Sequence, residues 1–192
     1  MIKCFGQADT DFSSNGDIII KPFKALVHNG DNDDFYVDFE CSLDYLDYVI
    51  PNNILIVSTP QGDQAFRIGN VKTTKNKIKA TCPHVFYDAN NYLIVDSYVV
   101  EKNCNQALDH LNQATDNVSP FTTSSDVAHV DSFRCVRKSL AEAINVVLER
   151  WGGHLVRNNW SIQIKDSIGQ DAGVTIQYKK NLKDITVNYD TT

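Results

Sequence analysis

The residues of this chain best suited to bind a metal or to carry out catalysis are five histidines and five cysteines. The histidines are His28, His84, His110, His129 and His154. The cysteines are Cys4, Cys41, Cys82, Cys104 and Cys135. No HExxH, HxH or CxxC spacing occurs, so a metalloprotease, zinc-ribbon or thioredoxin-like motif is absent from the sequence. We interpret the histidines as structural or surface residues and the cysteines as reduced, buried thiols, with a single disulfide left open.

Other motifs that could carry chemistry are weak. The acidic stretch 31–34 has the composition of a cation loop but lacks the glycine and distal glutamate of an EF-hand. We interpret it as a solvated turn, with Ca²⁺ binding as the alternative. No G-x-S-x-G elbow, P-loop or G-x-G-x-x-G occurs, and the glycosylation sequons at Asn117 and Asn159 carry no weight without a signal peptide. The sequence therefore predicts no catalytic, cofactor-binding or metal-binding residue, no cofactor, and a protein that is not an enzyme.

Composition narrows the class further. The 192 residues are 42% hydrophobic and 22% charged, which is too apolar for a disordered chain. A net charge of −6 argues against tight static binding to a phosphate backbone. No window of 18 apolar residues and no hydrophobic leader is visible, so we expect neither membrane insertion nor secretion, and a cytoplasmic location.

The first hundred residues show the alternation and turn signals of antiparallel strands. Strands are predicted at residues 17–21, 35–41, 54–58, 64–71 and 77–82, with turns at 60–63 and 75–76. Within the second of these, Phe35, Val37 and Phe39 fall on one face and Asp38 and Glu40 on the other. This spacing predicts an antiparallel β-barrel or sandwich.

The composition changes near residue 101 to a mixed helix and strand pattern. Helices are predicted at 103–115 and 139–151, strands at 128–135, 174–178 and 185–187, and a hairpin at 153–164, with a loop at 116–126. Ser139 and Glu142 form a capping box, and Gly152-Gly153 predicts a left-handed stop. The stripe Leu140, Ile144, Val147 and Leu148 is predicted to pack on the hairpin. The fold class is therefore α+β, mainly β, with two helices in a smaller second domain.

Five short motifs, in this order, resemble the tail hub proteins of long-tailed bacteriophages, also described as phage minor structural or tail-associated endopeptidase-type proteins. The motifs are Thr10-Asp11-Phe12 followed by Asn15-Gly16-Asp17; the segment 59–68, which resembles the family's hairpin before an F-R-I strand; the segment 80–88, similar to its A-x-H-x-x-Y-D run; the helix starting at Leu140 with Trp151-Gly152-Gly153; and the segment 171–185, similar to its G-x-x-I-x-Y-x-x-N-L-x-x-I run. The resemblance covers nearly the whole chain.

The resemblance implies a structural protein of the tail tip, located in the virion tail and assembled in the host cytoplasm. Such hubs are trimers that close the distal end of the tail tube, contact tube and distal tail proteins, and let DNA pass without specific binding. Residues 1–100 would form a tube-like β domain, 101–182 an outer α+β domain, and 183–192 the start of a second, truncated tube-like domain. On that last expectation the isolated chain would be monomeric or weakly associating.

Two alternatives remain open at this point. The chain is a carbohydrate- or receptor-binding module of a tail tip if Trp151, Trp160 and the tyrosines form an exposed platform. It is a cell-wall hydrolase if histidines, cysteines and carboxylates converge in space.

Overall fold

The computed structural model describes residues 1–169 of the chain. The strands predicted at 174–178 and 185–187, and the domain start predicted at 183–192, lie outside the described residues. The fold is α+β and mainly β, as predicted. Among residues 1–169, no helix has the length and apolar character needed to cross a bilayer.

The N-terminal part is a sandwich of two four-stranded antiparallel sheets. The strands of the first sheet are β1 (Ile2–Phe5), β2 (Ile18–Ile20), β5 (Ile54–Thr59) and β6 (Gly62–Arg67), in the order β2-β1-β5-β6. The strands of the second are β3 (Lys24–Asn29), β4 (Phe35–Cys41), β7 (Asn70–Thr73) and β8 (Ile78–Pro83), in the order β3-β4-β8-β7. A single bridge between Phe66 and His84 joins the sheets, and within residues 1–169 they do not close into a barrel.

The alternation of β4 explains why the two sheets stack. Phe35, Val37, Phe39 and Cys41 are all buried, whereas the residues between them are only partly covered. Their inward faces meet side chains of the first sheet, such as Leu55 and Phe66, in one hydrophobic core. Burial of each large aliphatic or aromatic side chain contributes about 1.5–3 kcal/mol, which makes this core the main stabilising feature of the sandwich.

The predicted strand 64–71 is in fact two strands in two different sheets. It breaks at Ile68-Gly69, so that β6 belongs to the first sheet and β7 to the second. A Cβ at Gly69 would lie 2.8 Å from the carbonyl oxygen of Thr81, so only glycine allows the backbones to approach this closely. Phe66 and Ile68 alternate with polar neighbours up to the corner, but the next apolar residue, Val71, is out of that phase, so only the shifted pattern and the glycine mark the change of sheet.

The second part contains a long two-stranded ribbon, two helices and a small sheet. β9 (Leu93–Asn103) pairs with β11 (Val130–Ser139), and α1 (Cys104–Gln113) and α2 (Leu140–Trp151) pack beneath this ribbon. β10 (Thr122–Ser125), β13 (Ser161–Lys165) and β12 (His154–Asn158) form a three-stranded sheet in that order, with β10 parallel to β13. The strands β1, β3, β9 and β10 were not predicted from the sequence.

Helix α2 begins at the predicted capping box. Ser139 Oγ accepts from the backbone N–H of Glu142, and the Glu142 carboxylate accepts from the N–H of Ser139. Leu140, Ile144 and Val147 are fully buried, while Leu148 is only half-buried. The stripe shares a core with the β12–β13 hairpin, but its main neighbours are β11, α1 and the 3-10 helix Val85–Asn91, which differs from the predicted packing.

The C-terminal end of α2 departs from the predicted left-handed stop. Gly152 has a positive φ of 76°, as expected, but a ψ of −172°, so it is an extended rather than a left-handed helical residue. The following Gly153 (φ 101°) would bring a Cβ to 2.7 Å from the carbonyl oxygen of Lys165, across the hairpin. The two glycines thus turn the chain directly into β12.

The described residues form two large hydrophobic cores. The first lies inside the sandwich and consists of residues up to Cys82. The second begins at Phe86 and contains residues of the ribbon, both helices and the small sheet. A smaller cluster containing Phe5, Ile56 and Val85 connects them. The division into domains at residue 100 stays a prediction, although β9 packs with the second core.

Candidate functional site

The five histidines do not converge. His28 stacks on Tyr36, His129 is exposed, and His154 pairs with Asp31. His84 is fully buried: its Nδ1 accepts from the backbone N–H of Phe86 and its Nε2 lies 3.1 Å from Gln64 Oε1, which makes it a neutral donor there. Burial, followed by the nearby charge of Arg157, lowers the pKa of His84 to about 3. Among residues 1–169, no three histidine, cysteine or acidic side chains are grouped to hold a metal ion.

The nearest approach to a nucleophile–base pair is Ser97 with His110. Ser97 Oγ lies 2.9 Å from His110 Nε2, a distance typical of a hydrolytic dyad. Ser97, however, is 8% exposed and lies on the inner side of β9, alternating with the buried Val99 and contacting α1 through His110. The pair joins the inner side of the ribbon to the helix, and we interpret it as a hydrogen bond that positions α1 against β9.

The cysteines are all free and buried, in agreement with their interpretation as reduced thiols. Burial raises the pKa of Cys4 and of Cys82 to about 12 and that of Cys41 to about 11. A thiol must lose its proton to attack a substrate or bind a metal, so these side chains act as small apolar groups of the core.

The acidic stretch 31–34 is an exposed turn, but it is also bound to the second part of the molecule. Asn32 Oδ1 accepts from the backbone N–H of Leu155 at 2.7 Å, and its Nδ2 donates to the carbonyl of Gly153 at 3.1 Å. Asp31 Oδ2 lies 2.8 Å from His154 Nδ1. The polar atoms that the sequence offered for a cation thus hold the hairpin β12–β13 instead.

Arg157 of β12 completes the attachment of this turn. Its guanidinium donates to the carbonyl oxygens of Asp33 (2.6 Å) and Gly30 (3.2 Å) and lies 5.3 Å from the centroid of the Phe35 ring. Arg157 is buried, and burial lowers its pKa. A buried guanidinium needs such hydrogen bonds to offset the loss of hydration.

A second group of amides extends the same contact. Gln64 Nε2 donates to Asn158 Oδ1 at 3.0 Å, and Gln64 Oε1 accepts from the N–H of Asn159 and from His84. Asn159 Oδ1 in turn accepts from the N–H of Ala65 at 2.7 Å. We call this whole set, namely the turn 29–34, Gln64, His84 and residues 153–159, the polar joint. Sequence reasoning missed Gln64 and Arg157, because neither carries a local signal.

The two tryptophans do not form an exposed platform. Trp151 is 4% exposed and donates its Nε1–H to the carbonyl of Lys102. Trp160 stacks on Phe12 with ring centroids 5.4 Å apart and is partly buried against the connecting cluster. Neither tryptophan therefore contributes to the exposed platform that the carbohydrate-binding alternative requires.

The solvent-facing surface of the ribbon is apolar to an unusual degree. Of the thirteen exposed large hydrophobic residues within 1–169, six lie on β9 and β11. They are Leu93, Val95, Tyr98, Val100, Val130 and Val136. An ion pair between Asp96 and Arg134 crosses the same surface, with Arg134 Nε 2.9 Å from Asp96 Oδ1. Exposed apolar side chains concentrated on one ribbon are a feature of surfaces that contact partners, although charged residues lie between them here.

Comparisons with solved structures identify proteins of similar architecture. Prophage tail protein gp18 from Listeria monocytogenes EGD-e superposes with a TM-score of 0.66 at 13% identity, over 83% of this chain and 48% of that one. The tail protein from Neisseria meningitidis MC58 matches with a TM-score of 0.50 at 9% identity, over 68% and 41%. A 43 kDa tail protein of prophage MuSo2 from Shewanella oneidensis matches with a TM-score of 0.50 at 13% identity, over 79% and 50%.

This chain has the fold of those tail proteins. It spans about half the length of each of them. No protein-family model matches the chain, and no curated protein matches it. The likeness thus rests on three-dimensional architecture, at sequence identities too low to carry over individual residues.

Proposed function

We propose that the chain is a non-enzymatic structural component of a phage tail, and that it belongs to the hub or baseplate at the distal end of the tail tube. The observation that carries the proposal is the shared fold, which extends over both the sandwich and the helical part of the chain. The order of sequence motifs that resemble tail hub proteins supports it independently.

The chemistry of the described residues is consistent with a structural role. His84, His154 and Arg157 are engaged in the polar joint, and burial raises the pKa of the Cys4 thiol. The exposed apolar side chains of the ribbon and the edge strands β2, β3 and β7 offer contact sites to other subunits.

In this role the chain would assemble with copies of itself, as a trimer in the intact tail, and with the tail tube and distal tail proteins. Residues 1–100 would contribute the tube-like domain and 101–182 the outer domain. DNA would pass through the assembly without sequence-specific binding.

Immunogold electron microscopy tests the proposal. Antibodies raised against the purified chain are applied to phage or induced-prophage particles from the organism that encodes it. Label at the tail end away from the capsid is the expected result, with antibody to a capsid protein as the positional control. Label spread along the tail tube would contradict the hub assignment, and complete absence from particles would contradict a tail role.

A further inference from the structure

The outer face of the sheet β3-β4-β8-β7 carries a row of charged residues in direct cross-strand register. Lys24 faces Glu40, Glu40 faces Lys79, and Lys79 faces Lys72. Since neighbouring strands are about 4.8 Å apart, the row runs straight across all four strands. Lys77, at the end of the turn between β7 and β8, forms an ion pair with the same Glu40 carboxylate. We call Lys24, Glu40, Lys72, Lys77 and Lys79 the lysine row.

The lysine row has more positive charge than the fold needs. Lys77 and Lys79 share one carboxylate, and their hydrogen bonds lower the pKa of Glu40. Lys24 and Lys72 are exposed and form no ion pair with any residue in the described range. Two lysines placed directly opposite each other, such as Lys72 and Lys79, destabilise a sheet. Four cations beside the two carboxylates of Glu40 and Asp38 are an excess of positive charge in a chain whose net charge is −6.

The surroundings of the row favour phosphate over a protein surface. A shallow concavity there is lined by Lys24, Lys72 and Lys79, by the carboxylates of Asp38 and Glu40, and by Asn70 and Thr81, whose hydroxyl donates to Asp38. Lysine, threonine and asparagine are residues that contact nucleic-acid phosphates, whereas the centres of protein interfaces are depleted in lysine and enriched in aromatic anchors. The row also has no exposed aromatic side chain among its members on which a base would stack.

We propose that the lysine row binds the phosphate backbone of double-stranded DNA, weakly and without sequence preference. This inference deepens the proposed function and rests on it, because a tail component is where DNA would meet such a face. Flexible lysine ammonium groups bind phosphate as point charges and carry no base readout. The net negative charge of the rest of the chain keeps the contact weak and reversible.

Fluorescence anisotropy with two labelled 20-base-pair duplexes of unrelated sequence tests this inference on the full chain. We expect equal binding of the two duplexes. With four lysines against the carboxylates of Glu40 and Asp38, about two positive charges are uncompensated, and the affinity should fall roughly 12-fold between 50 and 200 mM salt. The row variant Lys24→Glu/Lys72→Glu should weaken binding at 50 mM salt by about tenfold or more and flatten the salt dependence.

The matched control is Lys138→Glu/Lys165→Glu, which makes the same change of net charge away from the row and should bind more tightly than the row variant. Unfolding midpoints of both variants verify that each is folded. Equal loss in the two variants, or preference for polyglutamate over the duplex, would overturn the inference. Lack of any duplex binding would overturn it too, while gold label at the distal tail end would still support the proposed function.

Discussion

The polar joint and the outer face of the β9–β11 ribbon reverse the usual relation between side-chain polarity and exposure. In the joint, Gln64, His84 and Arg157 are polar yet at most 7% exposed. On the ribbon, Tyr98 and Val95 are apolar or aromatic yet more than 60% exposed. Buried polar groups persist when they have partners, as those of the joint do except for Arg157 Nε, and exposed apolar groups persist when a partner lies outside the chain. The joint therefore serves the interior of this molecule, and the ribbon is its surface most suited to assembly.

The largest effect is expected beneath the ribbon, where the comparison is sharpest. Val147→Asp puts a charge in a fully buried position of α2 and should unfold the second core, costing more than about 4 kcal/mol. Val136→Asp, on the exposed side of the ribbon, is the matched control and should cost less than about 1 kcal/mol. Urea unfolding followed by near-ultraviolet circular dichroism measures both. Similar losses of unfolding free energy in the two variants would show that the outer face of the ribbon is packed against other side chains rather than exposed.

The next effect concerns the joint itself. Arg157→Ala leaves the carbonyl oxygen of Asp33 without its donor, removes one of the two donors to the carbonyl of Gly30, and should reduce the free energy of unfolding by roughly 2–4 kcal/mol. Arg134→Ala removes an exposed pair with Asp96 and should leave the free energy of unfolding nearly unchanged. Denaturant midpoints of the two variants decide the matter; an Arg157→Ala protein as stable as the native one would refute the energetic role of the joint.

The pH dependence of stability should report on the same joint. The folded pKa of His84, about 3, lies below its value of 6.5 in an unfolded chain, so the unfolded state binds the extra proton first. The stabilisation is complete above pH 6.5 and is lost as the pH falls toward 3, by about 2–3 kcal/mol between pH 6.5 and 4.5. Thermal midpoints of the native chain and of His84→Asn across this range measure it. The slope should be smaller in His84→Asn and unchanged in the exposed-site control His129→Asn.

The smallest effect is expected for catalysis, where we predict none. The partly buried Ser97–His110 pair is the best candidate for a hydrolytic dyad in the described residues, yet neither the native chain nor Ser97→Ala should clear a cell-wall zymogram. A clearing band that disappears in Ser97→Ala would show that the ribbon opens and that the chain is a hydrolase.

Local patterns predicted much of the fold. The alternation in β4 and the capping box of α2 each act within a few residues, and both elements lie where the sequence placed them. Strand β3 was missed because only weak alternation marks an edge strand with exposed residues. Strand β10 was missed because its Thr-Thr-Ser-Ser run has the composition of a loop and becomes a strand through pairing with β13.

The joint was beyond sequence reasoning for a different reason. Arg157 and Gly30 are 127 positions apart in the chain, and Gln64 and Asn158 are 94 apart. The charges of the acidic turn are visible in the sequence. The hairpin that binds its carbonyl and amide groups, however, is brought there by the packing of the two cores. Composition shows that such a segment is rich in polar groups but does not reveal which residues those groups contact.

The parallel pairing of β10 with β13 has a consequence for the order in which the molecule forms. Every strand of the sandwich is complete by residue 83, so the sandwich can close while the chain is still being synthesised. The small sheet must wait for residues 161–165, since β10 has no other strand partner in the described chain. Until then Gln64 lacks its hydrogen bonds to residues 158 and 159. The polar joint is therefore completed only after the sandwich, when the last described strand has been synthesised.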